Sequence, residues 1–268
     1  MQIIELFSLP FMQKAIFCGS IAGILCGLIG SFVVIRKLSF ISGSISHAVI
    51  SGVGISLYFK LPMNICIIVA SQFFAILIGW ISKNCKYLEQ SLIAAVWAGG
   101  MAIGILFAAI TKGYSYDLLS YLFGNILIIS RDNVMMTCVL TVIILLYLVI
   151  MYRELVYTCF DEEYTQISGK NTNAIFISLL CAIALTVVVM MQIVGVLLAM
   201  TLLTLPATIM FNHTSKLKYI MSGAALINVI MINSGLILSY YLNLAVGPLT
   251  VVLITILFLL DSIIFRKK

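Results

Sequence analysis

One of the two histidines in this chain, His47, stands in an apolar stretch where a membrane helix is expected. Neutral imidazole is a good ligand for transition-metal ions, and an ionisable residue inside a membrane segment is by default a candidate for a transport pathway. Ser44 and Ser51 lie three residues before and four residues after His47, so on a continuous helix they share its face. The three residues predict a contact for a passing metal ion. From the residues alone, a histidine that only packs between helices fits equally well.

The composition predicts a membrane protein throughout. Hydrophobic residues make up 63% of the 268 residues, charged residues make up 9%, and the mean hydropathy is +1.22. A soluble domain needs far more charge on its surface, so we expect no such domain. The first apolar run is not followed by a cleavage-like signal and a polar mature protein, so we expect no removable signal peptide. The net charge of +6 is spread over short connections, which predicts no nucleic-acid partner. Seven cysteines without a CxxC pair indicate reduced apolar side chains, and we expect no permanently bound cofactor.

Apolar segments of membrane-spanning length recur along the whole chain. A bilayer core needs about 20 apolar residues per helix. Nine segments are candidates: Ala15–Ile35, Ile45–Phe59, Pro62–Ile81, Ser91–Ile110, Val134–Tyr152, Ala174–Met191, Val194–Phe211, Tyr219–Leu242 and Pro248–Phe265. The predicted fold class is an all-α polytopic membrane bundle of eight to nine transmembrane helices, forming one domain over residues 1–268. The second segment is short, which predicts a tilted or broken helix. The amphipathic segment Tyr114–Ile129 is predicted to be a surface or re-entrant helix.

Two glycine-rich stretches predict close contacts between helices. Gly19, Gly23 and Gly27 follow one another at four-residue spacing, and Gly99-Gly100 is followed by Gly104. Small residues at this spacing let the backbone of a second helix approach closely. These ridges predict tight packing and say little about function.

The basic residues predict the orientation of the chain. With nine crossings and the N-terminus outside, eleven lysines and arginines face the cytoplasm and four face outward. The outward four are Lys14, Lys60, Lys112 and Arg131. Because positive charge is enriched on the cytoplasmic side, this orientation is favoured and the C-terminus is predicted to be cytoplasmic.

The longest polar connection runs from Tyr152 to Asn173. Asp161, Glu162 and Glu163 stand together in it, and Gly169 follows eight residues after Asp161. Carboxylates favour a helix N-terminus and glycine favours a helix stop, so a short helix is predicted between them. Such a helix could dock into a partner. On spacing alone, a solvated connection with one capped helical turn is the more economical interpretation.

Five separated motifs resemble the membrane-spanning permease of bacterial ABC importers for zinc and manganese. They are GSFVVIRKLSFISGSISHAVISGVG (residues 30–54), DLLSYLFGNIL (117–127), FDEEYTQISG (160–169), VGVLLAMTLLTLPATIM (194–210) and VGPLTVVL (246–253). Each motif alone is weak, but the five occur in the order of the family and cover nearly the whole chain.

The resemblance implies the partners and the location. Permeases of this kind form a homodimer in the bacterial inner membrane, are driven by two cytoplasmic ATP-binding subunits, and receive their ion from an extracytoplasmic metal-binding protein. The segment 160–169 matches the one that docks into the ATPase, which assigns coupling to Asp161, Glu162, Glu163 and Gly169. The chain has no GxxxxGK[ST] phosphate loop, so we expect a transport subunit that is not itself an enzyme.

One position departs from the family. An aspartate usually stands four residues before the membrane histidine, whereas this chain has Gly43. Carboxylate and imidazole suit a divalent cation, and hydroxyls bind such ions weakly. The ion contact therefore rests on His47, with weaker contributions from Ser44 and Ser51. Asp117, in the second motif, is a weak candidate for attracting cations at the outer entrance, and capping a helix explains it as well.

The predicted function is ATP-driven import of divalent metal ions, with zinc first and manganese or iron as alternatives. An ABC permease for an iron chelate or cobalamin is the runner-up, but such permeases are usually longer. A self-sufficient secondary transporter would normally show internal repeats or several intramembrane acidic residues, and neither is found. An intramembrane enzyme is disfavoured because no acidic residue stands at helical spacing from His47.

Overall fold

The computed structural model describes residues 10–85, 87–111, 124 and 131–265. The helices of these residues are α1 (Pro10–Ile35), α2 (Ser39–Ala48), α3 (Ile50–Phe59), α4 (Met63–Asn84), α5 (Glu89–Ile110), α6 (Arg131–Phe160), α7 (Glu162–Ile167), α8 (Thr172–Ile193), α9 (Val196–His213), α10 (Leu217–Leu242) and α11 (Val246–Ile264). Within the described ranges, nine helical segments are long and apolar enough to cross a membrane. The predicted all-α polytopic fold is confirmed. The segment Tyr114–Ile129, apart from Gly124, lies outside the described residues.

The second span differs from its prediction at its start. It runs over Ser39–Phe59 as α2 and α3, which meet at Val49, so the predicted break is present. The predicted start at Ile45 was wrong, because the serine-rich residues before it are already helical. Their hydroxyls bond to carbonyls of their own helix, as Ser46 Oγ does to Ser42 O at 2.8 Å. This back-bonding satisfies polar groups that would otherwise favour a loop.

The fifth span is longer than predicted. We expected a helix to Tyr152 and a polar connection over residues 152–173, but α6 continues to Phe160. The polar residues of that last stretch extend the helix: the stretch holds no glycine or proline, and Thr158 Oγ1 donates to Glu154 O at 2.7 Å within the helix. The connection that remains holds α7 between α6 and α8.

The chain divides into two compact units. One comprises the described residues of 35–118 and 143–188, and in it α2 and α3 pack on α4 and α5. The other comprises the described residues of 1–34, 119–142 and 189–268, and in it α9, α10 and α11 pack on one another. The expectation of a single domain over residues 1–268 stays a prediction.

The glycine ridge on α1 serves the second of these units. A Cβ on Gly27 would lie 2.8 Å from the carbonyl carbon of Ala224 on α10, and Gly23 lies against Ile232 of the same helix. The buried Asn228 amide donates to Gly23 O at 3.2 Å and to Leu202 O at 3.1 Å. The predicted close contact along Gly23 and Gly27 is thus confirmed, and one amide joins α1, α9 and α10.

Candidate functional site

His47 stands in the last turn of α2, and its ring is stacked on an indole. The centroids of the His47 and Trp97 rings are 5.1 Å apart and the planes are inclined by 22°. Trp97, on α5, also meets the edge of Phe40 at 6.1 Å. Within the described residues, the buried Nδ1 of His47 has no hydrogen-bond partner. An aromatic stack therefore orients the imidazole where a polar partner would usually do so.

Glycines on α5 allow the helices to come close enough for that stack. A Cβ on Gly104 would lie 2.5 Å from Ile50 O, and one on Gly100 would lie 2.8 Å from the Cα of Ala48. These approaches bring α5 against the backbone on both sides of Val49, next to His47. The predicted close contact at Gly100 and Gly104 is confirmed, whereas a Cβ on Gly99 would meet open space.

Ser44 and Ser51 lie on either side of His47 in the chain, and both are buried. Ser44 Oγ donates to Phe40 O at 2.9 Å, and Ser51 Oγ donates to Ala48 O at 2.8 Å. Their donor hydrogens are thus used within the helix, and only oxygen lone pairs remain to face an ion. A metal role for these serines stays a prediction.

The described part of the chain offers His47 no larger set of metal ligands. Among the described residues, no group of three or more His, Cys, Asp or Glu side chains could hold a metal ion. Gly43, the position where the resembled family carries an aspartate, is buried on α2. Asp117 lies outside the described residues. Conduction needs sites that release their ion, so a sparse contact is compatible with transport.

The second candidate site is the six-residue helix α7, which is capped at both ends. Asp161 Oδ1 accepts from the backbone N–H of Tyr164 at 2.8 Å, and Glu162 and Glu163 occupy the first turn. At the other end, the N–H of Gly169 donates to Gln166 O at 3.0 Å and that of Lys170 donates to Thr165 O at 3.3 Å. This pair of bonds is a Schellman ending, and it requires the positive φ of +77° at Gly169. The predicted short helix and its glycine stop are confirmed.

The three predicted acidic residues of this segment have different environments. Asp161 caps α7, Glu163 is exposed, and Glu162 is paired with cations. Glu162 Oε1 lies 2.8 Å from Lys83 Nζ, and its Oε2 lies 3.4 Å from the Arg36 guanidinium. The assignment of all three residues to ATPase coupling stays a prediction. Their different environments mean that each residue would have a different role in coupling.

Glu162 is ionised at neutral pH. The hydrogen bond from Lys83, together with the charges of Lys83 and Arg36, holds the pKa of the Glu162 carboxyl below its ordinary value of 4.5, although partial burial acts in the opposite direction. Because the folded pKa is lowered, the stabilisation from these pairs is complete above the unfolded pKa. It is lost only as the pH falls through the lowered folded pKa.

The cationic partners of Glu162 could not be found from the sequence. In the sequence, Arg36 and Lys83 are two of the eleven basic residues expected on the cytoplasmic side, Arg36 also lies in the first motif, and nothing distinguishes Phe176. Lys83 Nζ lies 5.1 Å and the Arg36 guanidinium 5.9 Å from the centroid of the Phe176 ring on α8. Nothing local in the sequence links residues so far apart along the chain.

The other histidine serves packing in the second unit. His213 Nε2 lies 2.6 Å from Asp261 Oδ1, and the His213 ring meets the edge of Phe265 at 4.6 Å. This pair joins the C-terminal ends of α9 and α11. His213 therefore has a carboxylate partner, in contrast to His47.

Comparison with known proteins agrees with the resemblance. The chain matches the ABC 3 transport family over residues 8–265. It is 30% identical to the manganese transport system membrane protein MntC of Halalkalibacterium halodurans, over 98% of this chain and 90% of that protein. It is also 30% identical to the chelated iron transport system membrane protein YfeD of Yersinia pestis, over 98% of this chain and 88% of that protein.

A solved structure shares the fold. PsaBC from Streptococcus pneumoniae, in complex with Fab, superposes with a TM-score of 0.87 at 29% identity, covering 97% of this chain and 95% of that chain. The nine apolar spans and the match over nearly the full length agree with the five motifs found in the sequence. The chain belongs to the ABC 3 transport family, as a membrane permease for metal transport.

Proposed function

We propose that the chain is the permease subunit of an ATP-driven importer that carries divalent metal ions across the bacterial inner membrane, with His47 on the ion path. The observation that carries the proposal is the imidazole of His47, which stands in a membrane span with a buried Nδ1 that no described residue bonds. An orphaned buried polar atom in hydrocarbon is costly and is retained where it has a use.

The nature of the ion rests on two arguments. Relatives are named for manganese and for chelated iron, which favours these two metals. The local donor chemistry favours zinc or iron, because imidazole suits them while manganese prefers carboxylate and other oxygen ligands. Zinc, the first choice from the sequence, therefore stays in the proposal beside iron and manganese.

The proposed importer contains ATP-binding subunits, a second permease and a metal-binding protein beside this chain. ATP hydrolysis belongs to two cytoplasmic ATP-binding subunits, because the sequence contains no GxxxxGK[ST] loop. A second copy of the permease completes the pore, and an extracytoplasmic metal-binding protein delivers the ion. The exposed apolar residues of the connection support docking of the ATP-binding subunit at α7: Ile167 is 85% exposed, and Tyr164 is 56% exposed.

The test is uptake by the reconstituted importer. Proteoliposomes that contain the permease and its ATP-binding subunit are given the binding protein loaded with zinc, manganese or iron, and the accumulated metal is measured with and without ATP. We expect accumulation of at least one of the three ions only with ATP. Metal uptake without the ATP-binding subunit would instead establish a secondary transporter, and uptake of an iron chelate or cobalamin but of no free ion would establish the runner-up.

A further inference from the structure

Glu162 is held by two cations, one in the connection after α1 and one on the membrane helix α4. Arg36 follows directly after α1, and Lys83 lies in the last turn of α4. Lys83 binds one carboxylate oxygen of Glu162 at 2.8 Å, and both terminal nitrogens of Arg36 lie 3.4 Å from the other oxygen. A carboxylate that shares its two oxygens between two cations fixes its own helix to both neighbours.

The two cations are themselves fixed by further groups. Arg36 also donates to the carbonyl of Thr158, on α6, at 2.8 Å. Both cations lie near the face of Phe176 on α8, within the range of cation–π attraction. The side chain of Arg36 is 16% exposed and that of Lys83 is 24% exposed, so solvent screens these contacts less than it screens a surface pair. The carboxylate of Glu162 therefore binds two cations, Arg36 and Lys83, that other residues also hold in place.

The neighbouring acidic residue provides a natural contrast. Glu163 is exposed, and among the described residues it makes neither a hydrogen bond nor an ion pair, although it lines the same cavity of about 650 Å³ as Arg36 and Lys83. The exposed apolar side chains of Tyr164 and Ile167 also belong to α7. Glu162 thus faces the helices of its own chain, and other residues of α7 are left to face a partner.

We propose that Glu162 is a positioning residue that transmits movement of α7 to the connection between α1 and α2 through Arg36, and to the last turn of α4 through Lys83. This inference rests on the proposed function, because it presumes that an ATP-binding subunit moves α7. The short helix is suited to such a role because both of its ends are capped, so it moves as one rigid piece. Among the described residues, the charged links between the segment 161–170 and the rest of the bundle are the two pairs of Glu162 and the ion pair of Lys170 with Glu154.

The experiment compares Glu162→Gln with Glu163→Gln in the full importer. Both variants remove one negative charge from the first turn of α7 and keep the size of the side chain. The number of metal ions transported per ATP hydrolysed is measured in proteoliposomes, and binding of the ATP-binding subunit is measured by co-purification. For Glu162→Gln we expect a ratio lower by roughly fivefold or more, the lower end of ordinary coupling between sites, with unchanged binding. For Glu163→Gln we expect an unchanged ratio of metal to ATP but weaker binding of the ATP-binding subunit, because the exposed carboxylate of Glu163 is left to face that partner.

A second measurement is independent of transport. Hydrogen exchange of the backbone amides in residues 162–167 is recorded on the purified permease. We expect faster exchange in Glu162→Gln and in Lys83→Met, and no effect of the combined changes beyond that of Glu162→Gln, because Glu162→Gln already removes the Lys83 ion pair. A wild-type importer that moves no metal with ATP would remove the proposed function, while faster exchange would still support the attachment of α7.

Three outcomes would overturn the inference. The first is a normal transport ratio in Glu162→Gln, and the second is an equal loss in Glu163→Gln. The third is loss of the ATP-binding subunit from Glu162→Gln, because that result would make Glu162 a contact with the partner.

Discussion

At the scale of single residues, the two histidines show how position decides chemistry. His213 has a carboxylate partner at 2.6 Å, whereas His47 has an aromatic ring on one face and an Nδ1 that no described residue bonds. Ser44 and Ser51 donate to backbone carbonyls, and among the described residues neither hydroxyl bonds to Nδ1 of His47. Trp97 is thus the side chain seen to orient His47.

Trp97→Leu should weaken metal uptake by misplacing the imidazole. The stack is an aromatic pair worth about 0.5–1.5 kcal/mol, so the metal concentration for half-maximal uptake should rise roughly two- to tenfold. Trp97→Phe, which keeps a ring, should restore most of the affinity. Trp80, the other tryptophan, is 54% exposed on α4, and Trp80→Leu is the matched control. Equal effects at the two tryptophans would mean that the stack has no specific role.

At the scale of elements, the glycines of α5 set the distance between the two spans that carry His47 and Trp97. Gly104→Ala should destabilise the permease by about 1–3 kcal/mol, because the new methyl group overlaps the backbone at Ile50. Thermal unfolding in detergent measures the loss. Gly99→Ala, on the same helix, adds a methyl group to open space and should leave stability unchanged. If the two variants had equal stability, the close approach of α5 would be contradicted.

Gly169 ends α7 through its backbone conformation, since a side chain there would meet open space. A non-glycine residue at this positive φ costs about 1–2 kcal/mol, and asparagine tolerates the conformation best. Gly169→Val should therefore lower the metal transported per ATP while the permease stays in the membrane, and Gly169→Asn should retain most of it. Normal coupled uptake in Gly169→Val would refute a role for the rigid turn.

These elements show which features the sequence can predict. The spans were predictable because apolar length is a local property, and the ending of α7 was predictable because Asp161 and Gly169 act on neighbouring backbone. The start of α2 was missed because serines that suggest a loop can also bond within a helix. The link between Arg36 and Glu162 joins residues 126 positions apart, and neither local charge nor periodicity reports such a contact.

At the scale of the whole molecule, the orientation in the membrane follows from the distribution of basic residues. A reporter fused after Lys268 should report the cytoplasm, and one inserted in the turn Asn243–Val246, of which residues 243–245 are exposed, should report the outside. The turn lies between α10 and α11, so the two reporters are separated by one crossing. The same compartment for both reporters would contradict the nine-crossing arrangement.

In the proposed function, metal ions cross the membrane along a path that includes His47. The most direct test is ATP-driven metal uptake by His47→Ala in proteoliposomes, with His47→Gln and His213→Gln as comparisons at equal permease content. We predict that His47→Ala and His47→Gln both abolish uptake, because neither supplies a metal-binding nitrogen, and that His213→Gln retains it. Rescue of uptake by His47→Gln alone would indicate a packing histidine, and full uptake by His47→Ala at normal abundance would contradict a role for His47 in the ion path.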